Sequence, residues 1–242
     1  MHSGRKIVVA ASIAMLLLAA GAAVAAPAAN EEKEKERVLR QLDAAAKNFH
    51  STSADFEFDS VTTDPIPDKD VQSGTVCYER TDKTFRMAAH ITKNNNKQVE
   101  KKYMFVGGVF KLFEGGNVDQ VTTYSQVSKF QSYLMLGFGA SGKDMEEKWE
   151  IKYLGEETLI EGKKSYKTEK LELVAKDPAV RKNIPKVTVW MDTDLGVSRK
   201  QVFDEGPGQY RVSVYFKVEV NQPLPADAFT FKTDAKTQYV NR

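Results

Sequence analysis

With one cysteine, Cys77, the chain cannot form an internal disulfide, so its fold must draw stability from burial alone. Histidine is nearly as scarce. Of three, His2 stands at the extreme N-terminus, and His50 and His90 are too far apart in sequence to read as a catalytic pair. G-x-S-x-G, H-E-x-x-H and the phosphate-binding glycine loops are all missing. Gly139-Ala140-Ser141-Gly142 superficially resembles a serine elbow, but it lacks the spacing and follows a helical pattern rather than a strand. Asp192, Asp194, Asp204 and Glu205 lack the spacing of a calcium loop and sit where hairpin turns need Asp. The expectation is a protein that is not an enzyme, without metal or cofactor.

An excess of one charge is lacking too. The chain has 35 Lys+Arg and 33 Asp+Glu, and without Arg5 and Lys6 the balance is 33 against 33. Interspersed signs at neutrality give no footing for nucleic acid and no broad basic face for an anionic membrane. The one long apolar run, 7–20, follows a short basic start and precedes Ala23-Val24-Ala25. That is the pattern of a secretory signal peptide spanning residues 1–25, and the run is too short for a stable transmembrane helix. Cleavage after Ala26 would leave Pro27 first, so the cut is expected after Ala25; an uncleaved anchor is the competing reading. The remainder, 26–242, has no repeat, low-complexity tract or linker and reads as one exported domain.

What the chain does have is strand pattern. Asn30 can cap a helix whose apolar stripe is Val38, Leu42, Ala45 and Phe49. Short strands then follow at 54–61, 74–80, 84–91, 98–106, 109–114 and 119–124, with turn signals at Asn94-Asn95-Asn96, Gly107-Gly108 and Gly115-Gly116-Asn117. A short apolar helix at 125–136, carrying Val127, Phe130 and Leu134, interrupts them. Strands resume at 149–154, 165–174, 186–192, 197–204 and 209–220, with a loop at 177–185 and a closing edge strand at 226–231. In 210–220, Tyr210, Val212, Val214, Phe216, Val218 and Val220 alternate with Arg211, Ser213, Tyr215, Lys217 and Glu219. At 3.3 Å per residue this segment spans about 36 Å and has one apolar face, as in an antiparallel sheet wet on one side. Val187, Val189 and Met191 share that character, and in 74–80 parity puts Val76, Tyr78 and Arg80 on one face. Parity leaves two readings of Arg80: inward, where it needs acceptors such as carbonyls at a helix C-terminus, or a solvent residue beyond the strand.

The ordered pieces resemble the periplasmic outer-membrane lipoprotein carrier family of the LolA type. They are Val38-Leu39-x-x-Leu42, Ser53-Ala54-Asp55-Phe56, Ser73-Gly74-Thr75-Val76-x-Tyr78-x-Arg80, Phe85-Arg86-Met87, Val109-x-x-Leu112-Phe113, Asp119-Gln120-Val121, Leu171-Glu172-Leu173-Val174-Ala175-Lys176 and Ala228-Phe229-Thr230-Phe231. Thr81, where the family usually has proline, and the Gly107-Gly108 turn mark a divergent branch. The resemblance implies a mainly β fold, an open, strongly curved antiparallel barrel of about eleven strands covered by a helical lid. It implies that Arg80 latches the lid by hydrogen bonds and that Phe85 lies at the cavity mouth. The wall would be Val76, Tyr78, Met87, Val187, Val189, Met191, Val212, Val214, Phe216 and Val218; the lid, Val38, Leu42, Phe49, Val127, Phe130 and Leu134. It also implies acylated lipoproteins as cargo, an inner-membrane exporter complex and an outer-membrane acceptor as partners, and a monomer in the periplasm.

The physics of such a carrier is simple. Each acyl CH₂ kept in water costs about 0.8 kcal/mol, so a 16-carbon chain costs roughly 12 kcal/mol, and an apolar cavity removes that cost. Two other readings use the same stripes: a carrier or sensor of another envelope lipid, and a one-sided sheet whose apolar face is a filled core.

Overall fold

In a computed structural model, the protein is described over residues 25–81, 85–124 and 134–242. The expected signal peptide, apart from Ala25, and the lid residues Val127 and Phe130 lie outside the described residues.

Helix α1 (Ala25–Lys47) begins before Asn30, so that residue lies within the helix and does not cap it. Val38, Leu39, Leu42 and Ala46 are buried along one side, as their spacing of three and four requires. Phe49 follows the helix end and is buried there.

Among the described residues twelve strands then build one sheet: β1 (Ser51–Thr62), β2 (Asp68–Arg80), β3 (Phe85–Asn94), β4 (Lys97–Val106), β5 (Val109–Glu114), β6 (Gln120–Tyr124), β7 (Trp149–Glu161), β8 (Lys164–Ala175), β9 (Lys186–Asp192), β10 (Val197–Gly206), β11 (Gln209–Val220) and β12 (Gln238–Asn241). Their order in space is β12-β6-β5-β4-β3-β2-β1-β11-β10-β9-β8-β7. The chain starts in the middle, steps outward to β6, crosses to the far edge as β7, and steps back until β11 pairs with β1. Pairing is antiparallel except between β12 and β6, and the two edges do not meet. The sheet is an open, curved wall with the helices against its inner face.

Several turns have the expected chemistry. Asn95 and Asn96 take positive φ (47° and 64°), as do Gly107 and Gly108 (61° and 79°), which suits two-residue hairpins. The 141–148 stretch forms α2 (Gly142–Lys148), with a capping box in which Asp144 N–H donates to Ser141 Oγ at 3.0 Å. The 177–185 loop contains α3 (Pro178–Asn183), capped by the Asp177 carboxylate, which accepts from Ala179 N–H at 2.8 Å.

Three expectations about strands are corrected. β2 begins at Asp68 rather than at 74, pairing with β1 from Thr62 onward. β7 runs on to Glu161 because Gly155, at φ 106°, carries it across a register shift between Tyr153 and Gly155. The segment 226–231 is not an edge strand. It turns on itself (Ala228 N–H to the Pro225 carbonyl, 3.0 Å) and lies over the outer face of the sheet. There Lys102 Nζ donates to the Asp227 and Thr230 carbonyls, at 2.9 and 3.0 Å, and Phe231 stacks on Phe113. The edge at β6 is taken by β12 instead.

Candidate functional site

The inner face divides into two halves with different fillings. Over β7–β9, Val38, Leu39 and Leu42 of α1 pack with Met145 and Trp149 onto Leu171, Leu173, Val187, Val189 and Met191, all buried. Val187, Val189 and Met191, expected on the cavity wall, are 0–1 % exposed and belong to this solid core. Their neighbours are the α1 residues expected to form a lid. Val38 and Leu42 of that lid thus belong to a core helix, while Phe49, beyond the helix end, packs with the cluster on the other half of the face.

Over the other half the described residues leave the face unfilled. A cavity of about 420 Å³ lies there, bordered by Phe56, Val76, Tyr78, Met87, Phe110 and Leu134 among others. That is within the range of small-molecule pockets, roughly 300–1,000 Å³. Val76, Tyr78 and Met87, expected on the wall, and Leu134, expected on the lid, all border it.

Val212, Val214 and Phe216 do not. On β1 their partners are Asp59, Glu57 and Asp55, on the outer face, whereas Arg211, Ser213 and Tyr215 stand opposite Ser60, Phe58 and Phe56 and border the cavity. The cause is a bulge. Lys217 takes φ 46°, and β11 uses one residue more than β1 between Ser53 and Asp55. The parity flips there, so Val218 and Val220 return to the inner side and pack on its cluster. Alternation read as one uninterrupted run cannot hold across such a step.

Arg80 points inward. Its Nη1 donates to the Ala46 carbonyl at 2.9 Å, its Nη2 donates to the Gly139 carbonyl, and its guanidinium lies 5.7 Å from the Phe49 ring centroid. Ala46 is in the last turn of α1, where carbonyls lack intrahelical partners. One side chain therefore joins β2, the helix end and the 134–140 segment. That segment is also tied to the sheet: Ser198 N–H donates to the Gly137 carbonyl at 2.6 Å, and Gln201 Nε2 donates to the Leu136 carbonyl at 2.7 Å. Phe138, 1 % exposed, lies flat on Tyr78 (4.0 Å between centroids) and edge-on to Tyr215 (4.8 Å). Phe85, expected at the mouth, is instead buried between Tyr78 and Phe105, where its place opposite Arg80 in the β2–β3 ladder puts it.

Gly139 is demanded here twice over. It has φ 72°, and a Cβ on it would come 2.2 Å from Phe49 Cδ1. Gly139→Ala is expected to lower the melting temperature by more than Gly108→Ala, which has φ 79° but nothing within 4 Å of an added Cβ. Both substitutions carry the left-handed penalty of about 1–2 kcal/mol, and only Gly139 adds a clash. Equal melting temperatures would mean that the 134–140 segment does not press on Phe49.

The polar groups among the described lining residues are those of Gln72, Tyr78, Tyr103, Gln201, Arg211, Ser213 and Tyr215. Tyr215 Oη donates to Gln201 Oε1 at 3.2 Å, and burial pushes the Tyr78 and Tyr215 phenols above their ordinary range, so both stay neutral. Cys77 lies on the outer face beneath the C-terminal segment, its thiol pushed up by burial. Among the described residues no three His, Cys, Asp or Glu side chains are placed to hold a metal ion. Sequence reasoning missed Phe138, Ser213, Tyr215, Gln201 and Arg211. The one signal for any of them was Gly137-Phe138-Gly139, an aromatic between two glycines.

The sequence matches no family model and no curated protein. Among solved structures, it is similar to an uncharacterised conserved protein from Thermus thermophilus (TM-score 0.52, 10% identity, 86% of this chain and 99% of that one). Others are a LolA superfamily protein from Nitrosomonas europaea (0.37, 15%, 81% and 97%) and the Pseudomonas aeruginosa MucA/MucB complex (0.46, 10%, 82% and 61%). What the chain shares with the Thermus thermophilus protein is a mainly β fold, here an open, curved antiparallel sheet with helices on one face. At these identities the likeness is one of fold alone.

Proposed function

We propose that this protein is a periplasmic carrier that shields acyl chains in its inner cavity. The observation behind this reading is the uneven filling of one sheet face. One half is packed solid, and the other keeps about 420 Å³ among the described residues, lined mainly by aromatic and aliphatic side chains and bordered by Leu134. A face evolved only as a core would have been filled throughout, because voids forfeit dispersion contacts. On this reading the cargo is an acylated lipoprotein, received from an inner-membrane exporter complex and passed to an outer-membrane acceptor, with no cofactor and no catalytic step. The solved LolA superfamily and MucA/MucB structures support the reading at the level of fold.

Displacement of an environment-sensitive acyl probe tests it. Ala89 borders the cavity opposite Val76 and Tyr103, so Ala89→Phe should occupy the space and weaken probe binding about ten-fold or more while the protein stays folded. Val214→Asp, on the outer face, should leave binding at the wild-type level. Uptake lost in folded Val214→Asp but kept in Ala89→Phe would place the binding surface on the other side of the sheet and end this reading.

A further inference from the structure

Among the described residues Arg211 is the one fully charged side chain on the cavity wall, and burial of hydrocarbon does not call for it. It stands at the start of β11, opposite Ser60, which itself pairs with Asp70 of β2. Arg80 is about ten residues further along β2, roughly 33 Å at strand spacing, so the two arginines mark opposite ends of the inner face. Phe58 and Phe203 flank the Arg211 guanidinium, each 5.8 Å from Cζ to ring centroid, and both rings border the cavity. Its Nη2 reaches Glu205, which is partly open to solvent, at 27 %. Its Nε is buried and has no acceptor among the described residues. A guanidinium is planar and pairs best through two parallel N–H donors, one of which is Nε. Here one donor is committed and its neighbour is spare, at the end of an apolar channel.

We propose that this end of the cavity binds the anionic head, a carboxylate or a phosphate, of an amphiphile whose tail lies along the cavity toward the Arg80 latch. The inference rests on the carrier reading above and narrows it: the preferred ligand is an acyl chain with a negative head, held by Arg211 as a fork, with Glu205 as the resident partner that the head displaces or joins.

The test compares lauric acid, lauryl phosphate and lauryl alcohol as competitors of a neutral acyl probe on the full-length protein. A charge-assisted pair is expected to favour one or both anions over the alcohol about ten-fold or more, with the preferred anion telling carboxylate from phosphate. In Arg211→Gln the ratio should fall to near one, and Arg211→Lys should keep part of it. Glu205→Gln, which leaves the guanidinium in place and removes its competitor, should strengthen anion binding. Equal binding of acid, phosphate and alcohol by the wild type overturns this inference and leaves the carrier standing. So does an anion preference that persists in Arg211→Gln, or weaker anion binding in Glu205→Gln. Failure of all three compounds to displace the probe overturns both.

Discussion

Replacing Arg80 with Leu is expected to release the end of α1 and the 134–140 segment while the sheet stays intact. The substitution keeps much of the apolar stem and deletes the donors to the Ala46 and Gly139 carbonyls. Hydrogen bonds from a charged group are worth about 1.5–3 kcal/mol each, so two amount to roughly 3–6 kcal/mol of bias toward the closed arrangement, less any relaxation. That is enough to move a closed state from dominant to minor. Amide exchange should accelerate at Phe49 and Gly139, whose N–H groups now bond to the Ala46 and Gly196 carbonyls, with β11 remaining protected. If Arg80 helps to expel cargo by restoring the closed state, the variant should also load acyl probe readily and release it slowly. Unchanged exchange at Phe49 and Gly139 would show that Arg80 is not a latch, whatever its contacts.

The other large effect concerns the half of the face that does not open. Glu169 of β8 is buried, with 7 % of its side chain exposed, and its carboxylate accepts from Arg37 of α1 at 2.6 Å and from Tyr153 Oη at 2.9 Å. Arg37 also bonds to Glu34, at 2.7 Å. Burial and the Glu169 carboxylate together push the Tyr153 phenol up to about 12, so its proton stays to serve the carboxylate. Arg37→Met would leave Glu169 with one neutral partner. Breaking a buried pair on one side typically costs about 3–5 kcal/mol; with Arg37 itself 36 % exposed, the low end, about 3 kcal/mol, is expected. Arg37→Met combined with Glu169→Leu should recover most of that loss, since neither charge is then left alone. Chemical denaturation of the two single variants and the double one measures the coupling. A coupling near zero would mean that the apolar contacts of Val38 and Leu42, not the ion pair, seat α1 on the sheet.

Much of this architecture was legible because local chemistry governs it. The bounds of β5 and β9 follow from alternation between turn residues, and the paired glycines and asparagines at 107–108 and 95–96 take the positive φ that their hairpins need. The stripe of Val38 and Leu42 is a property of helical spacing, and it is buried as that spacing demands. That Val76, Tyr78 and Arg80 share one face is likewise a matter of parity within one strand, which no bulge interrupts above Gly74, though parity alone left the direction of Arg80 open. Such features depend on residues within a turn or two of one another, and those neighbours are visible in the sequence.

Tertiary structure alone decided where the apolar face is filled and where it is hollow. Val187 and Val76 look alike in sequence, yet one lies under α1 and the other borders open space, because the path of α1 across the sheet sets what stands opposite each. The parity of β11 failed for a related reason. The bulge at Lys217 exists to match β11 to β1, a partner far away in sequence, and it exchanges the faces of Val214 and Tyr215. Arg211 gained its rings and its spare donor only when β1, β10 and β11 came side by side. Period and turn chemistry are short-range and survive in one dimension; cavities are made by what long-range packing leaves out, and no stretch of chain carries that information by itself.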